Sequence, residues 1–350
     1  MKLTDQTILV TGGCGFIGSN FVHYLYNKYP DLTIVNIDKL TYAGNPENLK
    51  DIESSERYHF VKGSICDAKQ VSDIFVEYHP DILVNFAAES HVDRSIGNPD
   101  DFIDTDVYGA YTLLEAARKQ GIEKFIQIST DEVYGSIEDG KFSEIDPLMP
   151  RNPYSASKAG ADRLAYSYSQ TYDLPVIVTR ASNNFGPYQY PEKLIPLFVT
   201  NAIDDQPLPL YGDGKNVRDW LYVEDHCDAI AFLIENGEDG ETYNIGGGNE
   251  RQNIEITQGI LNILGKDDSL IQPVKDRPGH DRRYALDTQK LASLGWTPAH
   301  SGKDGFEAAL KTTIQWYQNR EEWWRPLKSG EFLEYYKNHY QMDLKSSTEQ

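Results

Sequence analysis

Positive charge is scarce in this 350-residue chain: 33 Lys and Arg stand against 54 Asp and Glu, leaving a formal net charge of −21. That balance argues against partners such as nucleic acid or an anionic membrane, which need a basic surface. Cysteine is scarcer still. Cys14, Cys66 and Cys227 lie far apart and make no metal-ligand pattern, so no metal site is expected and the chain reads as one kept reduced, without disulfides. No apolar run approaches a membrane span, and the N-terminus carries no signal-peptide hydrophobic stretch. The cytoplasm is the expected location. Repeats and low-complexity tracts are absent as well. What remains is a soluble chain long enough to bury a large core, in two lobes.

Gln6–Val10 reads as a buried strand running into Thr11-Gly12-Gly13-Cys14-Gly15-Phe16-Ile17-Gly18, with a helix from Phe16 to about Lys28. The three glycines of the Gly12-x-x-Gly15-x-x-Gly18 spacing allow a tight bend, close approach of backbone to a pyrophosphate, and close helix packing. The helix N-terminus then offers free N–H groups to the phosphates. A bare glycine triplet is weak evidence, but this one has a strand before it and a helix after it. A second strand, Leu32–Ile37, ends at Asp38, twenty residues beyond Gly18. A carboxylate there bonds ribose hydroxyls and repels a 2′-phosphate, which points to NAD rather than NADP.

Further strands are expected at Tyr58–Val61, Asp81–Phe86, Lys124–Ser129 and Pro175–Arg180, with Val71, Ile74, Phe75 and Tyr78 at helical spacing between two of them. The alternation predicts an α/β fold, a Rossmann-type doubly wound parallel sheet with a smaller C-terminal substrate-binding domain. Residues 1–180 would form the NAD-binding domain. The second half is rich in Gly and Pro turns suited to wrapping a ligand. Leu221–Val223 and Tyr243–Ile245 read as strands and Val223 onward as a helix, so the chain should return to the first domain at about 220–246. Residues 181–219 and 247–340 would then bind substrate, and 341–350 would be a polar tail.

Thr130-Asp131-Glu132, followed by Tyr154-x-x-x-Lys158, carries the chemistry. Residues four apart share a helix face, so Lys158 is expected beneath Tyr154, where its charge would lower a phenol pKa of about 10 and let the phenolate take an alcohol proton. A simple alcohol oxidation needs one base. Two adjacent acids at a strand end, with side chains pointing in different directions, imply a second reaction.

Ala87-Ala88-Glu89-Ser90-His91-Val92-Asp93-Arg94-Ser95, Thr130–Gly135, Tyr154–Lys158, Asn216–Trp220 and Asp276–Tyr284 complete an ordered set of motifs. Together with the glycine loop and Asp38–Gly44, the chain over roughly residues 6–325 resembles the dTDP-glucose 4,6-dehydratases, among the extended short-chain dehydrogenase/reductases. The resemblance implies tightly held NAD, a nucleotide sugar as substrate, a homodimer built through helices of the first domain, and a place in deoxysugar biosynthesis such as that of dTDP-rhamnose. It implies that NAD is held by Gly12, Gly15, Phe16, Ile17, Gly18, Asp38, Lys39, Leu40, Thr41, Ser64, Ile65, Ala87, Ala88, Glu89, Ser90, Thr105, Tyr154, Lys158 and Asn184. Ser64 departs from the family, which usually has an acid there. A hydroxyl still accepts from the adenine amino group, without charge assistance.

Tyr154, with Lys158, is assigned the 4-hydroxyl proton, Thr130 a hydrogen bond to that oxygen, Glu132 the C5 proton, and Asp131 protonation of the departing 6-hydroxyl. For substrate binding, Lys193, Arg218, Arg277 and His280 are cations in turn-rich segments of an acidic chain, suited to a pyrophosphate. Ser90, Thr130, Asn183, Leu194, Pro209, Leu210, Tyr211 and Asn253 would complete the pocket. Trp296, Trp316, Trp323 and Trp324 read as packing residues.

A 4-epimerase or UDP-glucuronate decarboxylase eliminates no water, and those families carry a small or hydroxylated residue where this chain has Asp131. A GDP-mannose 4,6-dehydratase prefers NADP and lacks the Asp-Glu pair. A non-catalytic NAD-sensing regulator has no need of Tyr154, Lys158 and two acids.

Overall fold

The structure, a computed structural model, describes residues 2–276, 280–340, 342 and 344. Six strands form within one residue of their expected bounds: β1 (Thr7–Thr11), β2 (Thr33–Asp38), β3 (Tyr58–Lys62), β4 (Ile82–Asn85), β5 (Lys124–Thr130) and β6 (Val176–Ala181). The later strands are β7 (Asn183–Phe185), β8 (Leu208–Tyr211), β9 (Val217–Tyr222), β10 (Thr242–Ile245), β11 (Glu250–Gln252) and β12 (Ile271–Val274). One seven-stranded sheet runs β10-β6-β5-β4-β1-β2-β3, every pair parallel. Its strands are apolar runs because helices cover both faces. β4, β5 and β6 are buried at every position.

A chain of polar side chains crosses the sheet. The Thr11 hydroxyl donates to Asn85 Oδ1 at 2.6 Å, and Asn85 donates to Gln127 Oε1 at 3.0 Å, which ties β1 to β4 and β5. Strand order reverses between β1 and β4, and a crevice opens beyond the carboxyl ends at such a point.

A three-stranded sheet, β11-β9-β7, and a two-stranded pair, β12-β8, build the other side of that crevice. The strand expected at Leu221–Val223 differs from β9 in bounds and in sheet. β9 starts at Val217 and is the middle of the small sheet, while Val223 already opens the helix Val223–Asn236. Met342 and Leu344 pack against the core of this side, so at those two positions the segment expected as a polar tail from residue 341 is an apolar contact. The other tail residues lie outside the described ones. Among the described residues no helix is long and apolar enough to cross a membrane.

The helix Pro153–Tyr172 carries Tyr154 and Lys158, and its start is fixed by a capping box between Asn152 and Ser155 with Pro153 in the first turn. Such a cap contributes about 0.5–2 kcal/mol. Of the stripe that the spacing predicts, Ala161, Ala165 and Tyr168 are buried and Leu164 is half-buried. Deeper in the helix, Asp162 accepts from Arg180 of β6 through Nε at 2.8 Å and Nη2 at 3.1 Å. Arg180 Nη1 also donates to the Tyr134 hydroxyl at 2.6 Å, two residues after Glu132. This buried pair holds the Tyr154 helix, β6 and the acid-bearing turn in one frame.

Removing one partner of a buried ion pair strands the other's charge, so Asp162→Asn should lower the unfolding free energy by about 3–5 kcal/mol in urea titration. A loss below about 1 kcal/mol, the scale of an ordinary surface change, would show that the frame does not depend on the pair.

Candidate active site

β5 ends at Thr130, and Asp131–Tyr134 turn at once into a single 3-10 turn capped by the Thr130 hydroxyl, which accepts from Glu132 N–H at 3.3 Å. The adjacent acids therefore diverge through a tight turn rather than through strand alternation. Asp131 is 2% exposed. Its Oδ1 accepts from the Thr130 hydroxyl at 3.2 Å, and its Oδ2 is buried with no hydrogen-bond partner among the described residues. Burial, then the Glu132 carboxylate, push the Asp131 carboxyl well above the usual range, while Arg218 and Thr130 oppose the shift. The surroundings of Asp131 therefore favour the neutral, protonated form. Glu132 sits in a different setting: Asn152 Nδ2 donates to its Oε2 at 3.4 Å, and the Tyr284 hydroxyl lies 3.5 Å from the same oxygen.

Tyr154 faces the same turn, and its phenol reaches the Thr130 hydroxyl. Lys158, expected beneath that phenol, makes no hydrogen bond to it among the described residues. Its ammonium donates to the Ile128 carbonyl at 2.8 Å, and burial lowers its pKa against the pull of Asp106 and Asp162. Burial, Glu132 and Asp106 instead hold the Tyr154 phenol well above its ordinary value. Asp106 was not foreseen. It comes from the π-helical turn Ile103–Gly109, accepting from the Ser157 hydroxyl at 2.6 Å and Glu89 N–H at 2.9 Å. Burial pushes its carboxyl up to about 6.

A cavity of about 370 Å³ runs along the carboxyl ends of β1 to β6. Every residue expected to touch NAD lines it except Leu40, whose side chain turns to the core at φ +57 while its N–H donates to Asp38. The glycine loop fits a pyrophosphate. Gly12 has φ +67, and a Cβ there would stand 2.8 Å from the Ala87 backbone, while one on Gly18 would stand 2.3 Å from the Gly12 carbonyl. No described side chain caps the helix Phe16–Lys28, and no acid occupies its first turn, so its N–H groups suit an anion. Asp38, 8% exposed, accepts from the N–H groups of Leu40 at 2.7 Å and Cys14 at 2.9 Å. Burial raises its pKa despite those bonds.

His226 also lines the cavity and was missed, since a lone histidine early in an amphipathic helix gives no signal. Burial pushes its imidazole down to about 3, so it is neutral, and Nδ1–H donates to Asn184 Oδ1 at 2.9 Å. That bond orients Asn184 toward the cleft.

A second cavity of about 130 Å³ continues from the first past Asn183, Lys193 and Leu194. Pro209, Leu210, Tyr211, Arg218, Asn253 and His280 line it, as expected of substrate residues. Ser90 and Thr130 line the first cavity. Arg277 lies outside the described residues. Arg218 differs from expectation in being no turn residue: it is a buried member of β9, donating to the Asp281 carbonyl at 2.9 Å with its guanidinium 4.3 Å over the Tyr284 ring. The tryptophans pack. Trp296 and Trp324 are core residues, and Trp316 and Trp323 meet Tyr188 edge-on.

Residues 9–309 match the family described as GDP-mannose 4,6 dehydratase. The chain is 54% identical over 303 residues to the low-salt glycan biosynthesis protein Agl12 of Haloferax volcanii, covering 87% of this chain and 97% of that one. It is 47% identical over 356 residues to dTDP-glucose 4,6-dehydratase of Escherichia coli, covering 93% and 97%. The crystal structure of dTDP-glucose 4,6-dehydratase from Bacillus anthracis in complex with NAD superposes with a TM-score of 0.86 at 52% identity, over 92% of this chain and 100% of that one.

The seating of Asp131 carries a cost that pH reveals. Unfolded, Asp131 ionises at about pH 3.9, whereas the folded chain keeps its proton to higher pH. Above pH 4 ionisation therefore favours the unfolded chain, by about 1.4 kcal/mol for each unit until the folded pKa is reached. Asp131→Asn lacks that drain, so its stability relative to wild type should grow as pH rises above 4 in urea titrations. A difference that stays flat with pH would mean that Asp131 is ionised in the folded protein.

Proposed function

The chain belongs to the dTDP-glucose 4,6-dehydratases, and from that premise we propose how its residues divide the work. It is an NAD-dependent hydro-lyase of nucleotide sugars. Loss of water from C6 of a hexose is slow because the C5 hydrogen is scarcely acidic. A ketone at C4 changes that, since the C5 anion becomes a delocalised enolate. Bound NAD supplies the oxidant, taking a hydride from C4 and returning it to C6, so the cofactor ends as it began.

The chain's own residues move the protons. Tyr154 takes the 4-hydroxyl proton, with Thr130 bonded to the same oxygen; Lys158, held by the Ile128 carbonyl, favours phenolate through its charge rather than through a direct bond. Glu132, held by Asn152, removes the C5 proton. Asp131 protonates the departing 6-hydroxyl, so water rather than hydroxide leaves, and Glu132 returns its proton to C5 once C6 is reduced. The product is a 4-keto-6-deoxy sugar. The observation that carries this division is Asp131 Oδ2, buried and without a hydrogen-bond partner among the described residues, beside a second carboxyl group, a setting that favours the neutral acid.

For binding, Asp38 is assigned the ribose hydroxyls and hence NAD over NADP, and Lys193, Arg218 and His280 the substrate pyrophosphate, with Arg277 added from the sequence. A homodimer is favoured by a band of exposed apolar side chains on adjoining helices: Ile103, Tyr108 and Tyr111, with Tyr166 and Tyr172 on the Tyr154 helix. Covering such a band suits a second copy. A cytoplasmic location and a role in supplying deoxysugars such as dTDP-rhamnose follow from the acidic, cysteine-poor composition and the family.

Purified protein incubated with dTDP-glucose should give a product lighter by one water in mass spectrometry, with UDP-glucose as the comparison. Protein purified without added cofactor should release NAD(H) on denaturation, and Asp38→Ala should lower that content. No water loss from either sugar would refute the dehydratase reading, and NADP as the dominant bound species would refute the role of Asp38.

A further inference from the structure

The helix Glu331–Tyr340 lies beyond the stretch that carries the family motifs, yet it ends inside the nucleotide end of the cleft. Two stripes explain its course. Phe332 and Tyr336, four residues apart, are 3% and 1% exposed and sink into the second core, where Asn201 Nδ2 donates to the Tyr336 hydroxyl at 3.3 Å. The same stripe delivers Tyr340, one turn on, to the wall of the 130 Å³ cavity, alongside Leu210, Tyr211 and Arg218.

The neighbouring stripe faces the other side of the crevice. Tyr335 and His339 stack at 5.2 Å, and Tyr335 meets the His91 ring edge-on at 5.6 Å and the Arg94 guanidinium at 4.7 Å. His339 Nε2 lies 2.5 Å from the Tyr211 hydroxyl and 3.5 Å from Asp93 Oδ2, and Tyr211 in turn donates to Asp93 Oδ2 at 3.2 Å. One arrangement of protons satisfies all three groups. His339 Nε2–H donates to the Tyr211 oxygen, and the Tyr211 proton goes to the Asp93 carboxylate. The Tyr340 hydroxyl bonds to Tyr211 as well. The helix thus ties the loop after β4 to the end of β8, across the cavity.

Resting on the family reading above, we propose that Tyr340 is a substrate-binding residue for the nucleoside portion of the nucleotide sugar, and that His339 is the positioning residue that holds Tyr211 for the same task. Tyr340 and Tyr211 share the lining of this cavity with the apolar side chains Leu197, Phe198 and Leu210, beside polar and charged ones. A planar base buries its faces well against aromatic and aliphatic groups of this kind, and Lys193, Arg218 and His280 in the same lining supply charge for the phosphates. Neither residue lines the first cavity, where Asp131 and Glu132 sit. Their contribution is therefore equal in ground and transition state, which affects affinity and not turnover.

The test uses the full-length holoprotein with dTDP as the binding probe and dTDP-glucose as the substrate. Tyr340→Ala and His339→Ala should each raise the Kd for dTDP and the KM roughly tenfold while kcat stays within about twofold. Tyr340→Phe should keep most of the affinity because the ring remains, and His339→Gln should recover much of the His339→Ala loss by restoring a donor to Tyr211. Unchanged melting temperature and NAD(H) content identify variants that fold. An unchanged dTDP Kd in Tyr340→Ala overturns the proposal, whatever happens to kcat. A wild-type protein that binds dTDP but leaves dTDP-glucose intact counts against the dehydratase reading instead, and the Kd comparison still decides the role of Tyr340.

Discussion

Two carboxyl groups side by side in sequence are useful only if their surroundings keep them chemically apart, and the turn after β5 does this by burying one and hydrogen-bonding the other. Asp131 is sealed against Thr130 with an oxygen that no described group satisfies, so the neutral form is the one the fold accepts. Glu132 meets the amide of Asn152 at the cleft. Ionisation of one group discourages ionisation of its neighbour, so the base makes the acid a better-kept acid. The 3-10 turn is the device that makes this possible. Had the strand continued, alternation would have sent one of the pair to the far face of the sheet.

That turn is positioned by parts that do no chemistry. Arg180 reaches from β6 to Asp162 on the helix bearing Tyr154 and to Tyr134 at the end of the turn, so the first proton acceptor and the two acids share one internal strut. The side of the crevice built on the small sheets contributes in the same way. Tyr284 and Arg218 stand over Glu132 and Asp131, and the Arg218 charge acts on Asp131 as the opposing influence to burial. The substrate cleft and the acid–base pair are thus coupled through Arg218.

Much of this was legible in the sequence, and the divisions follow physical lines. The β1–glycine–helix unit, Asp38 and all six early strands of the sheet could be read because buried parallel strands are apolar runs and the glycines answer local steric demands, such as the φ of +67 at Gly12. What escaped depends on contacts between distant segments. Lys158 was expected under Tyr154 from helix spacing, but the Ile128 carbonyl and Asp106, from other elements, decide where its ammonium goes. Leu40 belongs to a motif, yet its backbone angle turns its side chain to the core. His226 and Asp106 gain their roles through burial, which no local pattern announces. The helix Glu331–Tyr340 lies beyond the motifs, and only packing shows that its last residue faces the cleft.

The division of labour between the two acids is tested most directly by a single turnover in heavy water, following enzyme-bound NADH and the deuterium content at C5 of recovered substrate. Asp131→Asn and Glu132→Gln should both still oxidise C4 and accumulate NADH. With Glu132 intact, Asp131→Asn should form the enolate reversibly and return substrate carrying solvent deuterium at C5, whereas Glu132→Gln should return substrate with little. Exchange at C5 as fast in Glu132→Gln as in Asp131→Asn would contradict the account, because Glu132 could not then be the base and the acid–base pair would have to be assigned differently.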